Sequence, residues 1–478
     1  MEIERQAAVA LKWNTAARLA SQALTWTITL VVLRLLAPAD YGLMAVSAVI
    51  VSIVAGMAEF GLGASLVQSQ RLAHEELSRV AGAIGILNLA CGAVVVLAAP
   101  LIAAAAGEPR LEAIIRVASL QFVLYAIEAV PQSLLQREMN FKKAGAIELS
   151  ATVAGALTTL LLAWLDAGVW ALVWGNLAGG AVRTALLVTL GTFVRPKLRL
   201  AGLSRHLRFG GLVTATRFLW QATHQLDTLI AARFLSPAAV GLYSVSMHLA
   251  TLPMNKTMGI VNQVAFPAVA RLQDEPPRLR ARLLEALRLL AFVAIPALWG
   301  LSVIATEFVD VVLGEKWRTA ARALQLVSLV APLRMLMAVL ATAVQAIGRV
   351  EIELRNTLVS ALVLPICFFI GVRWELDGLA ASWLVAVPLT LLCNFPRTSR
   401  ALQLSLRDLA AAIHGPLLGG AAMYATVSAM RLPLIDLDEG LRLPVLITAG
   451  AVSYLATVRA IDPSIWLDVR RLAAAVRG

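Results

Sequence analysis

Apolar residues run through this chain in long blocks separated by short polar connections. A bilayer core of about 30 Å takes roughly 20 apolar residues per crossing helix. That ruler predicts fourteen spans, at 14–36, 41–63, 80–105, 113–135, 146–166, 168–192, 211–234, 240–269, 286–312, 320–346, 353–373, 378–396, 410–430 and 441–460. Gly415, Pro416, Pro444 and Ser453 dilute the last two, so twelve is the fallback count. The fold class expected from this pattern is an all-α polytopic membrane protein.

Composition narrows the function classes. Of 478 residues, 59% are hydrophobic and 15% charged, with a mean hydropathy of +0.79. Soluble domains run about 45–50% apolar and about 25% charged, so a soluble enzyme or disordered scaffold is excluded. The net charge of +12 is a topology signal, because its basic residues alternate between connections. One side holds Arg71 and Arg79, Arg137 to Lys143, Arg195 to Arg208, Arg271 to Arg282, Arg349 and Arg355, Arg397 to Arg407, and the tail. The other side holds mainly acids, including Asp40, Glu108, Asp166, Asp377 and Asp436. Both termini are therefore expected in the cytoplasm, with no nucleic-acid partner. Ala37-Pro38-Ala39 imitates a signal cleavage site, but the apolar run before it is long enough to span. Cys91, Cys367 and Cys393 lie in apolar runs and imply no disulfide framework. No metal-ligand spacing occurs, and neither metal nor cofactor is expected.

An internal repeat organises the spans. Thr15–Ser47 aligns without a gap to Thr214–Ser246, with 15 identities in 33 positions at an offset of 199. The matches include Arg18 with Arg217, Gln22 with Gln221, Arg34 with Arg233, Pro38 with Pro237 and Gly42 with Gly241. Shared Arg, Gln, Pro and Gly in register are not what chance gives between Leu/Ala-rich helices. Six predicted spans separate the copies, so both run in the same direction through the membrane. The expectation is two parallel six-helix bundles, a transporter architecture. Its parts are residues 1–192, a basic cytoplasmic linker at 193–210, residues 211–396, and an appended pair of helices with a tail at 397–478.

The Arg34-Leu35-Leu36-Ala37-Pro38-Ala39-Asp40-Tyr41-Gly42 turn resembles the Wzx-type lipid-linked oligosaccharide flippases. Glu59-Phe60-Gly61-Leu62-Gly63, Asp227-Thr228-Leu229-Ile230 and Pro267 with Arg271-Leu272-Gln273 add to the match. The branch is similar to colanic-acid and exopolysaccharide exporters, within the multidrug/oligosaccharidyl-lipid/polysaccharide exporter superfamily. The resemblance covers most of residues 14–400, and Glu59 stands where an Asp is more usual. It implies a V-shaped pair of bundles around a central cavity. It also implies alternating-access movement of an undecaprenyl-diphosphate-linked exopolysaccharide or O-antigen unit to the outer leaflet. Membrane lipids, a polysaccharide polymerase and glycosyltransferases are the partners it suggests.

Such a substrate needs a wet cavity with cations for phosphate and polar groups for hydroxyls, since bare charge in hydrocarbon is expensive. At 3.6 residues per turn, Arg217, Gln221, His224 and Thr228 share one stripe of span seven, and span one repeats it from Arg18 and Gln22. Lys256 and Arg334 follow prolines inside spans and complete the substrate-binding candidates. Asp227, beside His224, is the ion-coupling candidate. Glu128 and Arg183 also fall within or near spans. No residue is expected to be catalytic. A lipid II flippase and a drug exporter of the same superfamily are the close alternatives. A membrane glycan polymerase or ligase is remote, because the longest outer connection, 431–440, lacks His and Lys.

Overall fold

The structure is a computed structural model. It describes residues 25–58, 74–138, 141–190, 194–197, 218–219, 221–223, 225–260, 272–273, 275–434 and 436–467. In chain order the helices are α1 (Thr25–Leu35), α2 (Pro38–Ala58), α3 (His74–Ala106), α4 (Arg110–Ala118), α5 (Gln121–Arg137), α6 (Phe141–Trp164) and α7 (Val169–Leu190). They continue with α8 (225–234), α9 (Pro237–Ile260), α10 (Pro276–Val303), α11 (Ala320–Ala346), α12 (Val350–Gly371), α13 (Glu375–Leu402), α14 (Leu406–Arg431) and α15 (Glu439–Ile461). Where they are described, residues of each of the fourteen predicted spans lie in helix, α4 and α5 together falling in the fourth. Among the described residues, nine helical segments are long and apolar enough to cross a membrane, one of them the joined Val350–Leu402. The surface confirms the solvent these helices are built for. Leu97, Leu101 and Leu362 are 76%, 74% and 69% exposed in mid-helix, which suits lipid and not water. Backbone groups close their hydrogen bonds within the helices, as a bilayer requires.

The chain divides into two compact units, residues 1–241 and 242–478. In the first unit the repeated sequence folds twice into the same turn. Helix α1 ends at Leu35 and α2 starts at Pro38, while α8 ends at 234 and α9 starts at Pro237. Proline suits a first helical turn because its missing N–H would be unpaired there anyway. The two copies cap that turn differently. Ala37 N donates to Asp40 Oδ2 (3.0 Å) in one, and Ala239 N donates to Ser236 Oγ (3.3 Å) in the other. The turns also lie against each other reciprocally. A Cβ on Gly42 would sit 1.9 Å from Pro237 O, and one on Gly241 would sit 1.7 Å from Pro38 O. Only glycine fits either place. Gly42→Val should therefore force the turns apart and cost about 1–3 kcal/mol or more, as overpacking does. Thermal unfolding in detergent reads this, with Gly56→Ala as control, because a Cβ there meets no atom within 4 Å.

The second unit centres on α10, whose Leu287, Ala291 and Leu298 are fully buried. Helices α14 and α15, expected from the sequence as an appended pair, are built into this core. Tyr454 OH donates to Phe292 O (2.8 Å), and Arg288 Nε donates to Asp462 Oδ2 (3.1 Å). A capping box starts α14, with Asp408 N donating to Ser405 Oγ (3.1 Å) and Ser405 N donating to Asp408 Oδ2 (2.8 Å). Prolines within α3, α5, α9, α10 and α11 are tolerated as membrane helices tolerate them.

Candidate functional site

In the first unit, α2, α5, α6 and α7, with Ala118 at the end of α4, line a cavity of about 600 Å³. Each contributes one face read at helical spacing. Helix α5 presents Gln121, Tyr125 and Glu128; α6 presents Glu148, Thr152 and Thr159; α7 presents Asn176 and Arg183; α2 presents Met44, Ser47, Val51 and Ser52. Close approach of α6 and α7 fixes two of these walls. A Cβ on Gly175 would lie 3.0 Å from Gly155 O, and one on Gly179 would lie 3.0 Å from Ala151 O. Small residues four apart are how membrane helices bring their backbones together.

The polar groups on these faces meet across helices. Glu128 is buried, and Arg183 Nε donates to its Oε2 at 3.0 Å while Nη2 donates to Oε1. Thr184 Oγ1 donates to the same carboxylate (3.2 Å), and Glu148 Oε2 lies 3.6 Å from Arg183 Nη1. The guanidinium fork is thus engaged by carboxylate on two edges. Further along the wall, Gln121 Nε2 donates to Asn176 Oδ1 at 2.6 Å. Ser47 is fully buried, and its Oγ has no hydrogen-bond partner among the described residues. Gln225 Nε2, on α8, donates to Ser52 Oγ at 3.1 Å.

The residues singled out in the sequence fall elsewhere or outside the described residues. Arg18, Gln22, Arg217 and His224 lie outside them, as does the side chain of Lys256, whose backbone belongs to α9. Gln221 and Thr228 are half-buried. Asp227 is buried in the first unit and accepts from Thr228 N at 2.8 Å. In the second unit Arg334 lies over the buried Trp383 ring, 4.1 Å from its centroid, and Trp383 Nε1 donates to Tyr243 OH (2.8 Å). Cation–π contact of this kind holds a guanidinium in an apolar setting. A second polar cluster there is self-contained: Arg397 donates to Asn356 Oδ1 (3.0 Å) and Asn394 Oδ1 (2.8 Å), and Asn356 Nδ2 donates to Thr398 Oγ1 (3.2 Å). Among the described residues, no three His, Cys, Asp or Glu side chains converge as a metal site would need.

The cavity in the first unit was not assembled from the sequence, although Glu128 and Arg183 were both visible as intramembrane charges. Opposite charges in two spans each need a partner, and that need is the signal that pairs them.

Comparison with known proteins places the chain. The profile of the family described as "Polysaccharide biosynthesis protein" matches residues 31–322. The lipopolysaccharide biosynthesis protein WzxC of Escherichia coli (strain K12) is 31% identical over 373 residues, covering 76% of this chain and 75% of that protein. The succinoglycan biosynthesis transport protein ExoT of Rhizobium meliloti (strain 1021) is 27% identical, covering 66% of this chain and 64% of that one. Among solved structures, the lipid II flippase MurJ in its inward closed conformation superposes with a TM-score of 0.74 at 14% identity, over 93% of this chain and 98% of that chain. At that identity the likeness is one of fold.

Proposed function

Since the chain belongs to the polysaccharide biosynthesis protein family, as a Wzx-type flippase, we propose that it moves an undecaprenyl-diphosphate-linked oligosaccharide from the cytoplasmic to the outer leaflet of a bacterial inner membrane. The observation that carries this reading is an open cavity with charged and polar side chains in its wall, set between helices whose outer faces are apolar. Hydrated headgroups need such a place, because hydrocarbon excludes them. WzxC carries lipopolysaccharide biosynthesis in its name and ExoT carries succinoglycan transport, which supports an exopolysaccharide or O-antigen unit as cargo. Transport of this kind makes and breaks no bond. Alternating access between two parallel six-helix halves, 14–192 and 211–396, is the mechanism we infer, supported by the repeat. The distribution of basic residues supports a cytoplasmic position for both termini.

Within that reading Arg18, Arg217, Lys256 and Arg334 are the cations for the diphosphate, Gln22, Gln221, His224 and Thr228 supply hydrogen bonds, and Asp227 is the coupling group. Arginine suits phosphate because its planar fork holds two oxygens. Deleting the gene should abolish surface polymer and accumulate the lipid-linked unit, and the intact gene should reverse both. Normal polymer export in the deletion strain, or accumulation of lipid II instead, contradicts the assignment. Arg217→Ala at matched membrane abundance should lower export about tenfold or more, since a charge-assisted contact contributes about 1.5–3 kcal/mol. Arg217→Lys should restore part of it. Full export by Arg217→Ala removes that residue from the site.

A further inference from the structure

We propose that the cavity of the first unit is a sugar-binding subsite that holds hydroxyl-bearing, uncharged rings and turns the diphosphate away. The proposal rests on the flippase reading for the origin of its ligand, but its chemistry comes from the cavity itself. Among the described lining residues the carboxylates Glu128 and Glu148 stand against the single guanidinium of Arg183, a net charge of −1. Arg183 is the group that would otherwise attract phosphate, and its fork is already held by Glu128, with Glu148 beside the remaining nitrogen. A dianion entering here meets a carboxylate excess in a site screened less than bulk water.

What the wall offers instead suits sugar hydroxyls. The Gln121–Asn176 pair uses one donor and one acceptor, which leaves the Gln121 carbonyl oxygen and the Asn176 amide nitrogen to bind neighbouring hydroxyls of a ring. Glu148 is open to the cavity and adds an acceptor. The buried Ser47 hydroxyl, unpartnered among the described residues, is a second, independent mark of a wall that expects a polar guest. The volume of about 600 Å³ falls within the roughly 300–1,000 Å³ of small-molecule sites. Between Val173 and Arg183 the cavity follows α7 for about 15 Å at 1.5 Å per residue, a length for more than one ring. The headgroup is thereby divided: rings in the first unit's cavity, diphosphate on the cations of the polar stripes.

The test uses the full chain in lipid vesicles, with Cys91, Cys367 and Cys393 replaced by alanine and Thr152→Cys placed on the cavity wall. Methyl glycosides of neutral hexoses and of N-acetylhexosamine should slow maleimide labelling about fivefold at about four times their Kd. Inorganic diphosphate at matched ionic strength should leave the rate unchanged. Gln121→Ala and Asn176→Ala should each remove the protection by glycosides. Protection by diphosphate alone, protection by neither probe, or glycoside protection that survives both alanine variants overturns the subsite. The readout needs no transport, so a chain that shows protection but flips no lipid-linked glycan fails the functional reading and keeps the subsite.

Discussion

Glu307→Ala should cost the second unit about 3–5 kcal/mol, the loss expected when one member of a buried ion cluster is removed. Glu307 follows α10 in a short helical turn, Ala305–Phe308, and its side chain is 5% exposed. Arg431 at the end of α14 grips it through two bonds, Nε to Oε1 at 2.9 Å and Nη2 to Oε2 at 2.5 Å. Arg442, at the end of the first turn of α15, adds Nη2 to Oε1 at 3.2 Å. One carboxylate thus ties three helical segments together. Without it, two partly buried guanidinium groups remain close with no counter-charge. Glu307→Gln should lose less, because it keeps acceptors for one of them. Replacing all three by leucine should approach the parent, since a buried cluster is often worth no more than apolar residues of similar volume. The midpoint of thermal unfolding in detergent orders the variants; parent-like unfolding of Glu307→Ala would show that the cluster is solvated.

The second large effect is expected at Glu128. Its removal strands Arg183 against Glu148 alone and deprives Thr184 of its acceptor. Arg183 is one-third exposed to the cavity, so the loss should lie near the lower end, about 3 kcal/mol. Glu128→Leu should be destabilised and export poorly, whereas Glu128→Leu with Arg183→Leu should regain much of the stability without the transport. A double-mutant cycle of unfolding midpoints and export, each at matched abundance, separates the two roles. If the double variant exported normally, the pair would be a packing device only.

The spans were legible because hydropathy dominates each of them, and among the described residues the helices differ from the predicted runs chiefly at their ends. Helix α3 starts at His74, six residues before the apolar run at 80. Its polar first turns are held by Arg79 Nη2 on Glu75 Oε1 (2.7 Å), an i,i+4 pair that carries a helix beyond the hydrocarbon. The interruption at Ser119 and Leu120 between α4 and α5 has no breaker residue to announce it. The repeat was legible to single positions, and Gly42 and Gly241 are identities whose steric reason the turns supply. The cavity was harder to read. Its polar residues are spread over four helices, and no single helix carries a stripe as dense as the one in span seven. Gln121 and Asn176 meet across 55 positions, as do Glu128 and Arg183; the neutral pair is visible only in the tertiary structure, and the charged pair is announced in the sequence only by each charge's need of a partner.

The central claim is transbilayer movement of a lipid-linked glycan, and purified protein in unilamellar vesicles tests it most directly. The probe is an undecaprenyl-diphosphate oligosaccharide carrying a fluorophore on its terminal sugar, placed in both leaflets and reduced from outside by dithionite. Vesicles holding the parent chain should lose nearly all fluorescence. Empty vesicles should stop near the half that faces outward, and those with Arg217→Ala should lose the remaining half about tenfold or more slowly than the parent. Retention of the inner half by parent-containing vesicles, with the protein shown intact in the same preparation, would contradict the account.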